Sequence, residues 1–183
     1  MPKIIALCGF KQSGKTTVSN HLVKAYGFYC LPFASVLKEM LSVLGLTHEQ
    51  IYGDRKEVPC DLLGGKTPRG AMQSLGTEWG RNCIDADLWV RAWRNKLKEL
   101  PMDGCFADIV VDDLRFPNEA EAIIQEGGKI FLICRDSVRP EGDLHPSEAF
   151  AEKLPFHGVI DSNGSVDDLR NTVDDIMKIE CPK

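Results

Sequence analysis

A strand, Lys3–Cys8, carrying the apolar run Ile4–Cys8, leads into Gly9-Phe10-Lys11-Gln12-Ser13-Gly14-Lys15-Thr16, and a helical pattern runs on from Lys15 to about Ala25. Few stretches constrain a fold more tightly. The segment fits GxxxxGK[ST] at every fixed position and has a strand before it and a helix after it. The glycines Gly9 and Gly14 let backbone N–H groups close around phosphate oxygens, and the helix N-terminus adds positive potential. In that arrangement Lys15 reaches the β- and γ-phosphates of a nucleoside triphosphate, and the Thr16 hydroxyl ligates Mg²⁺.

The rest of the chain repeats the same alternation. Strands are expected at Tyr29–Leu31, Ala107–Asp112, Lys129–Cys134 and Val159–Asp161. Helices are expected at Ser35–Leu44, from Thr67-Pro68 onward, from Asp85 or Asp87 to about Leu100, and from about Asn118 to Glu126. A last helix starts at the capping box Ser165-Val166-Asp167-Asp168, with Val166, Leu169, Val173 and Ile176 as its apolar stripe. The Gly, Pro and charged residues of Thr47–Lys66 suggest loops with one helical turn among them. Such βα alternation implies a three-layer α/β fold, a parallel sheet with helices on both faces. A chain of 183 residues without repeat or linker suits one domain.

Bulk properties narrow the partners. The net charge of -5 argues against broad binding to nucleic acid, which relies on clustered Lys and Arg. No apolar run approaches a membrane span, and the N-terminus does not resemble a signal peptide. The seven scattered cysteines include no CxxC pair, which suits reduced thiols in a cytoplasmic protein and argues against a zinc site. Cys8 and Cys134 end apolar runs and are expected in the core.

A phosphate cradle alone leaves several classes open. A GTPase needs a guanine-reading NKxD, and Asn95-Lys96-Leu97-Lys98 lacks the Asp. Leu62-Leu63-Gly64-Gly65-Lys66 resembles an ABC-ATPase signature only superficially. A small-molecule kinase remains, and it must hold a second substrate. Asp112-Asp113-Leu114-Arg115 follows a strand, where a carboxylate can orient Mg²⁺ through water and Arg115 can grip a phosphate bidentately. Arg69 and Gln73 share a helix face and suit a phosphate and a base edge, with Trp79 as a flat packing surface. Trp89 and Trp93, at helical spacing, are expected in the core. Arg135 and Arg139 lie in a Gly/Pro-containing loop that suits a lid over transferring phosphates.

Taken together, GFKQSGKTT, Phe33-Ala34-Ser35-Val36-Leu37-Lys38, TPRGAMQSLGTEWGR, VVDDLRFPNEA, His145-Pro146-Ser147-Glu148 and Val159–Gly164 resemble the deoxynucleoside monophosphate kinases of bacteriophages. That resemblance implies an adenylate-kinase-like P-loop domain over 1–183, with a five-stranded parallel sheet in the order 2-3-1-4-5. It implies an acceptor-binding helical region at about 34–100 and a short lid at about 135–147. The implied reaction moves the ATP γ-phosphate to a deoxynucleoside monophosphate (dNMP), giving ADP and dNDP with Mg²⁺. It places Gly9, Lys11, Ser13, Gly14, Lys15, Thr16 and Thr17 on ATP phosphates, and Arg139, Asn163 and Gly164 elsewhere on ATP. Lys38, Arg69, Gln73, Trp79, Arg81, Arg115 and Glu148 fall to the dNMP. Lys15, Asp113, Arg115 and Arg135 are the catalytic set, with Asp113 preferred to Asp112 as the carboxylate behind Mg²⁺. A cytoplasmic enzyme is implied, in the host cytoplasm if phage-encoded, and a homodimer is left open. Animal-type phosphomevalonate kinases share the cradle, the D-x-R strand end and an Asn-Gly near the C-terminus. Gln73 and Trp79 suit a base better than an isoprenoid chain. A P-loop switch that holds ATP without an acceptor is the other alternative, and the arginines outside the cradle argue against it.

Overall fold

The computed structural model describes residues 2–100, 108–138 and 153–180. The chain forms two compact units, one of Met1–Pro32 with Leu100–Lys183 and one of Phe33–Glu99.

The first unit is built on strands β1 (Ile4–Cys8), β2 (Tyr29–Cys30), β3 (Ile109–Val111), β4 (Lys129–Cys134) and β5 (Gly158–Asp161). All pairings are parallel and the order is β2-β3-β1-β4-β5. This is the order expected from the resemblance. Every residue of β1 and β3 is buried, as a parallel strand covered on both faces requires. On one face, Ile5, Leu7, Val110 and Ile133 pack with Val18 and Leu22 of helix α1 (Lys15–Tyr26). Leu169, Val173 and Met177 of the C-terminal helix Val166–Glu180 complete that cluster. Burial of each such side chain contributes about 1.5–3 kcal/mol, so the cluster dominates the unit's stability. Helix Pro117–Gln125 packs on β4 and contributes the buried Ala120 and Ile123.

The second unit is helical. It comprises α2 (Ser35–Val43), the single turn α3 (His48–Ile51), two 3₁₀ turns at Asp54–Glu57 and Asp61–Leu63, α4 (Pro68–Gln73) and α5 (Leu88–Glu99). The remaining helices of the first unit are therefore α6 (Pro117–Gln125) and α7 (Val166–Glu180). Thr47 caps α3 in a capping box with Gln50, and Thr67 caps α4 by accepting from the Gly70 N–H at 3.1 Å. Leu37, Leu41, Leu46, Ile51 and Trp89 form this unit's core. Trp93 is fully buried against Phe33, their ring centroids 4.9 Å apart, as expected for both core tryptophans.

Two local expectations are corrected. Val166 is half exposed, and Met177 takes the buried place on α7, because the stripe facing the sheet begins at Leu169. The helix begun at Thr67 does not stay α-helical: Ser74–Ile84 winds as a π-helix. The Trp89 indole N–H donates to the Gly76 carbonyl at 2.7 Å and competes with the i+4 amide for it. The ring also lies against Gly80, where a Cβ would sit 2.5 Å from the indole nitrogen. Among the described residues, no helix is long and apolar enough to cross a membrane.

Candidate functional site

Because the sheet is parallel, Cys8, Val111, Cys134 and Asp161 all end at one edge. β1 is central, with β3 on one side and β4 on the other, so the chain reverses its direction of travel across the sheet here. Loops at such a reversal form the usual ligand crevice of open α/β sheets. The loop after β1 holds Gly9–Gly14, the loop after β3 holds Asp112–Arg115, Arg135 directly follows β4, and Ser162–Gly164 follows β5. In the first unit, the structure therefore gathers Lys15, Asp113, Arg115, Arg135, Asn163 and Gly164 at one edge.

The glycine loop has the geometry of an anion nest. Gly9 has φ +137°, and a Cβ there would meet the Ile133 carbonyl oxygen at 2.5 Å. Gly14 caps α1 in the left-handed region at φ 108°, and Gln12 also has positive φ, at 66°. No side chain caps α1, unlike the Thr-capped α3 and α4, and its first turn carries no acid. Its first amides thus fit an anion. The Ser13 hydroxyl is buried with no hydrogen-bond partner among the described residues, a further polar group left for a ligand inside the loop. Lys15 Nζ donates to the carbonyls of Gly9 at 2.8 Å and Phe10 at 2.6 Å, which folds it over the loop. Beneath the loop, burial pushes the Cys8 thiol up to about 12 even though Lys15 favours its thiolate. Cys8 is a packed core thiol. Cys134 is only half-buried.

The loop after β3 is fixed by Glu119, which the sequence reading did not single out. Its buried carboxylate accepts from the backbone N–H groups of Arg115 at 2.9 Å and Phe116 at 3.1 Å. Phe116 has no side-chain acceptor to return the contact, so this is half of a capping box. Pro117 followed by an acid at the third helical position was the signal available. Asp113 is half-buried while Arg115 reaches solvent.

After β5, the Ser162 N–H donates to Cys134 O at 2.8 Å and its hydroxyl donates to Ser13 O at 2.5 Å. Asn163 Oδ1 accepts from the Asp136 N–H at 2.9 Å. Arg139 and Glu148 lie outside the described residues.

In the helical unit, Lys38 Nζ sits 4.9 Å from the centroid of the Tyr52 ring, and Arg69 Nε pairs with Glu57. Lys56 was also missed by the sequence reading. Burial first, then the nearby Arg69 and Lys38 cations, hold its ammonium below the ordinary lysine range. Lys56, Arg69 and Lys38 thus lie near one another with the Asp54 and Glu57 carboxylates beside them, and no sequence spacing announces Lys56. Gln73 is exposed on α4. Trp79 is 42% exposed, its ring centroid 6.3 Å from that of Trp89. Arg81 donates to the Ala86 carbonyl at 2.9 Å.

Comparison with known proteins points to one family. A sequence model of the family described as deoxynucleotide monophosphate kinase matches residues 66–173. A candidate deoxynucleotide monophosphate kinase of Acanthamoeba polyphaga mimivirus is 34% identical over 167 residues, covering 86% of each chain. Among solved structures, a shikimate kinase from Bacteroides thetaiotaomicron superposes with TM-score 0.51 at 15% identity, covering 98% of this chain and 99% of that one. A dephospho-CoA kinase from Campylobacter jejuni does so with TM-score 0.50 at 17% identity, covering 98% of both. At those identities the structural likenesses speak for the fold alone.

Proposed function

The chain belongs to the deoxynucleotide monophosphate kinase family, and from that premise we propose how its residues divide the work of moving a phosphoryl group from ATP to a dNMP. The observation that carries the proposal is the uncapped, acid-free start of α1 behind a glycine loop whose φ values open it to an anion. Phosphoryl transfer demands positioning and charge neutralisation more than covalent chemistry, and the residues at the sheet edge supply both.

The amides of Gly9–Thr17 and the Lys15 ammonium hold the β- and γ-phosphates of ATP. To do so Lys15 exchanges its two backbone carbonyl partners for phosphate oxygens. An oxygen of the dNMP phosphate attacks the γ-phosphorus, the bond to the β–γ bridging oxygen breaks, and ADP leaves with that oxygen's charge. Lys15, Arg115 and Arg135 offset the negative charge spread over the transferring group. Arg115, exposed on a loop that Glu119 fixes, grips the acceptor phosphate. Thr16 and, through water, Asp113 provide an all-oxygen donor set that suits Mg²⁺. When bound, Mg²⁺ neutralises phosphate charge. Lys38, Arg69, Gln73, Trp79 and Arg81 serve the dNMP, with Trp79 offering an exposed ring face to a base. Asn163 and Gly164 serve the adenine end of ATP. Neither the phosphomevalonate-kinase layout nor an acceptor-free switch accounts better for the chain, since the family match spans the TPRGAMQSLGTEWGR run.

Following the label from γ-labelled ATP tests this proposal. We expect it in the β-position of a dNDP, and release only as inorganic phosphate in the presence of dNMPs would overturn it. Arg115→Ala should raise KM for the dNMP by about 10–100-fold, as loss of a charge-assisted pair does, and leave KM for ATP near its original value. Unchanged kinetics for both substrates would make Arg115 merely structural.

A further inference from the structure

We propose that Ser162 is a positioning residue for the phosphate cradle, its hydroxyl setting the Ser13–Gly14 peptide so that the Gly14 N–H points into the nest. The proposal rests on Gly9–Thr17 being the ATP site. Ser162 is 3% exposed, and its hydroxyl donates to Ser13 O at 2.5 Å across 149 residues of sequence. The residue is itself anchored, since its own N–H donates to Cys134 O at 2.8 Å at the end of β4. It also backs the loop closely: a Cβ on Gly14 would lie 3.5 Å from both Ser162 Cβ and Ser162 Oγ.

The consequence follows from peptide geometry. In a planar trans peptide the C=O of one residue and the N–H of the next point in opposite directions. A Ser13 carbonyl drawn back toward Ser162 therefore turns the Gly14 N–H away from Ser162, toward the open side of the loop. Gly14 is the N-cap of α1, where no side chain competes for that space. Without the hydroxyl the Ser13 carbonyl loses its buried donor. It is then free to rotate toward the cradle, where its negative end opposes phosphate oxygens. The loop after β5 is also tied to the segment after β4, through Asn163 and the Asp136 N–H. Ser162 thus links the β5–α7 loop to the grip on phosphate.

The test compares wild-type full-length protein with Ser162→Ala, using ADP binding by calorimetry and steady-state kinetics. We expect ADP to bind about tenfold more weakly and KM for ATP to rise in proportion, as for loss of one oriented hydrogen bond, with KM for the dNMP unchanged. ADP affinity at the wild-type value overturns the proposal. A proportional loss for both substrates together with a lowered Tm also overturns it, because that pattern marks a purely structural serine. Should the alanine variant fail to fold, Ser162→Cys, close in size but a weak donor, carries the same expectations. Wild-type protein that binds no ADP would instead sink the cradle assignment itself.

Discussion

Lys15 is the residue on which the chemistry converges. Its ammonium bridges the Gly9 and Phe10 carbonyls, poised over the loop that α1 leaves uncapped. Lys15→Met should lower kcat by about 10²–10³, the scale seen when one major transition-state charge contact is removed. Near-normal turnover would refute its role. Cys8 gives a second check on the same loop. With its thiol pushed up to about 12 by burial, it should resist alkylation at pH 8 while the exposed Cys83 reacts, which peptide mapping after brief iodoacetamide treatment would read. Equal labelling would mean that the packing under the cradle is loose. At this scale the sequence revealed what spacing encodes. Gly9, Gly14, Lys15 and Thr16 announce themselves in one short motif. Ser162 and Lys56 do not, because their partners lie far along the chain or in an irregular loop, and no local pattern records such contacts.

Elements divide the same way. The edges of β4 and α5 followed from apolar period and capping chemistry, and the structure places them within a residue or so of expectation. The π-helix at Ser74–Ile84 was illegible because its cause is tertiary. One indole N–H takes the Gly76 carbonyl that a plain helix would use, and Gly80 makes room for the ring. Gly80→Ala should therefore destabilise the protein by about 1–3 kcal/mol, read as a lower denaturant midpoint, because the added methyl meets the Trp89 ring. An unchanged midpoint would show that the ring moves aside freely. Trp79, exposed on the same element, should behave oppositely. Trp79→Ala should raise KM for the dNMP by roughly 5–100-fold, the span of one stacked base, with little change in midpoint. An unaltered KM would remove it from the acceptor site.

For the whole molecule, the βα alternation was enough to predict a parallel sheet, and the resemblance supplied its strand order. Neither revealed the polar tether between the first and last helices. His21 Nε2 lies 2.6 Å from Asp174 Oδ1, and the Tyr26 hydroxyl donates to the same oxygen at 2.7 Å. These hydrogen bonds, from His21 first and Tyr26 second, hold the Asp174 carboxyl below the ordinary carboxylate range. A carboxyl so lowered stabilises the fold above its unfolded value of about 4, and that stabilisation fades as pH falls below it. Asp174→Ala should then be less stable than wild type at pH 7, with the gap narrowing by pH 3. A gap independent of pH would contradict the tether. The central claim, that the cradle is the donor half of a kinase acting on dNMPs, is tested most directly by ADP release from ATP with each common dNMP, the matching ribonucleotides and phosphomevalonate as acceptors. At least one dNMP should accelerate ADP release well above the acceptor-free rate, and phosphomevalonate should not. ATP hydrolysis indifferent to every acceptor, or acceleration by phosphomevalonate alone, would contradict the account.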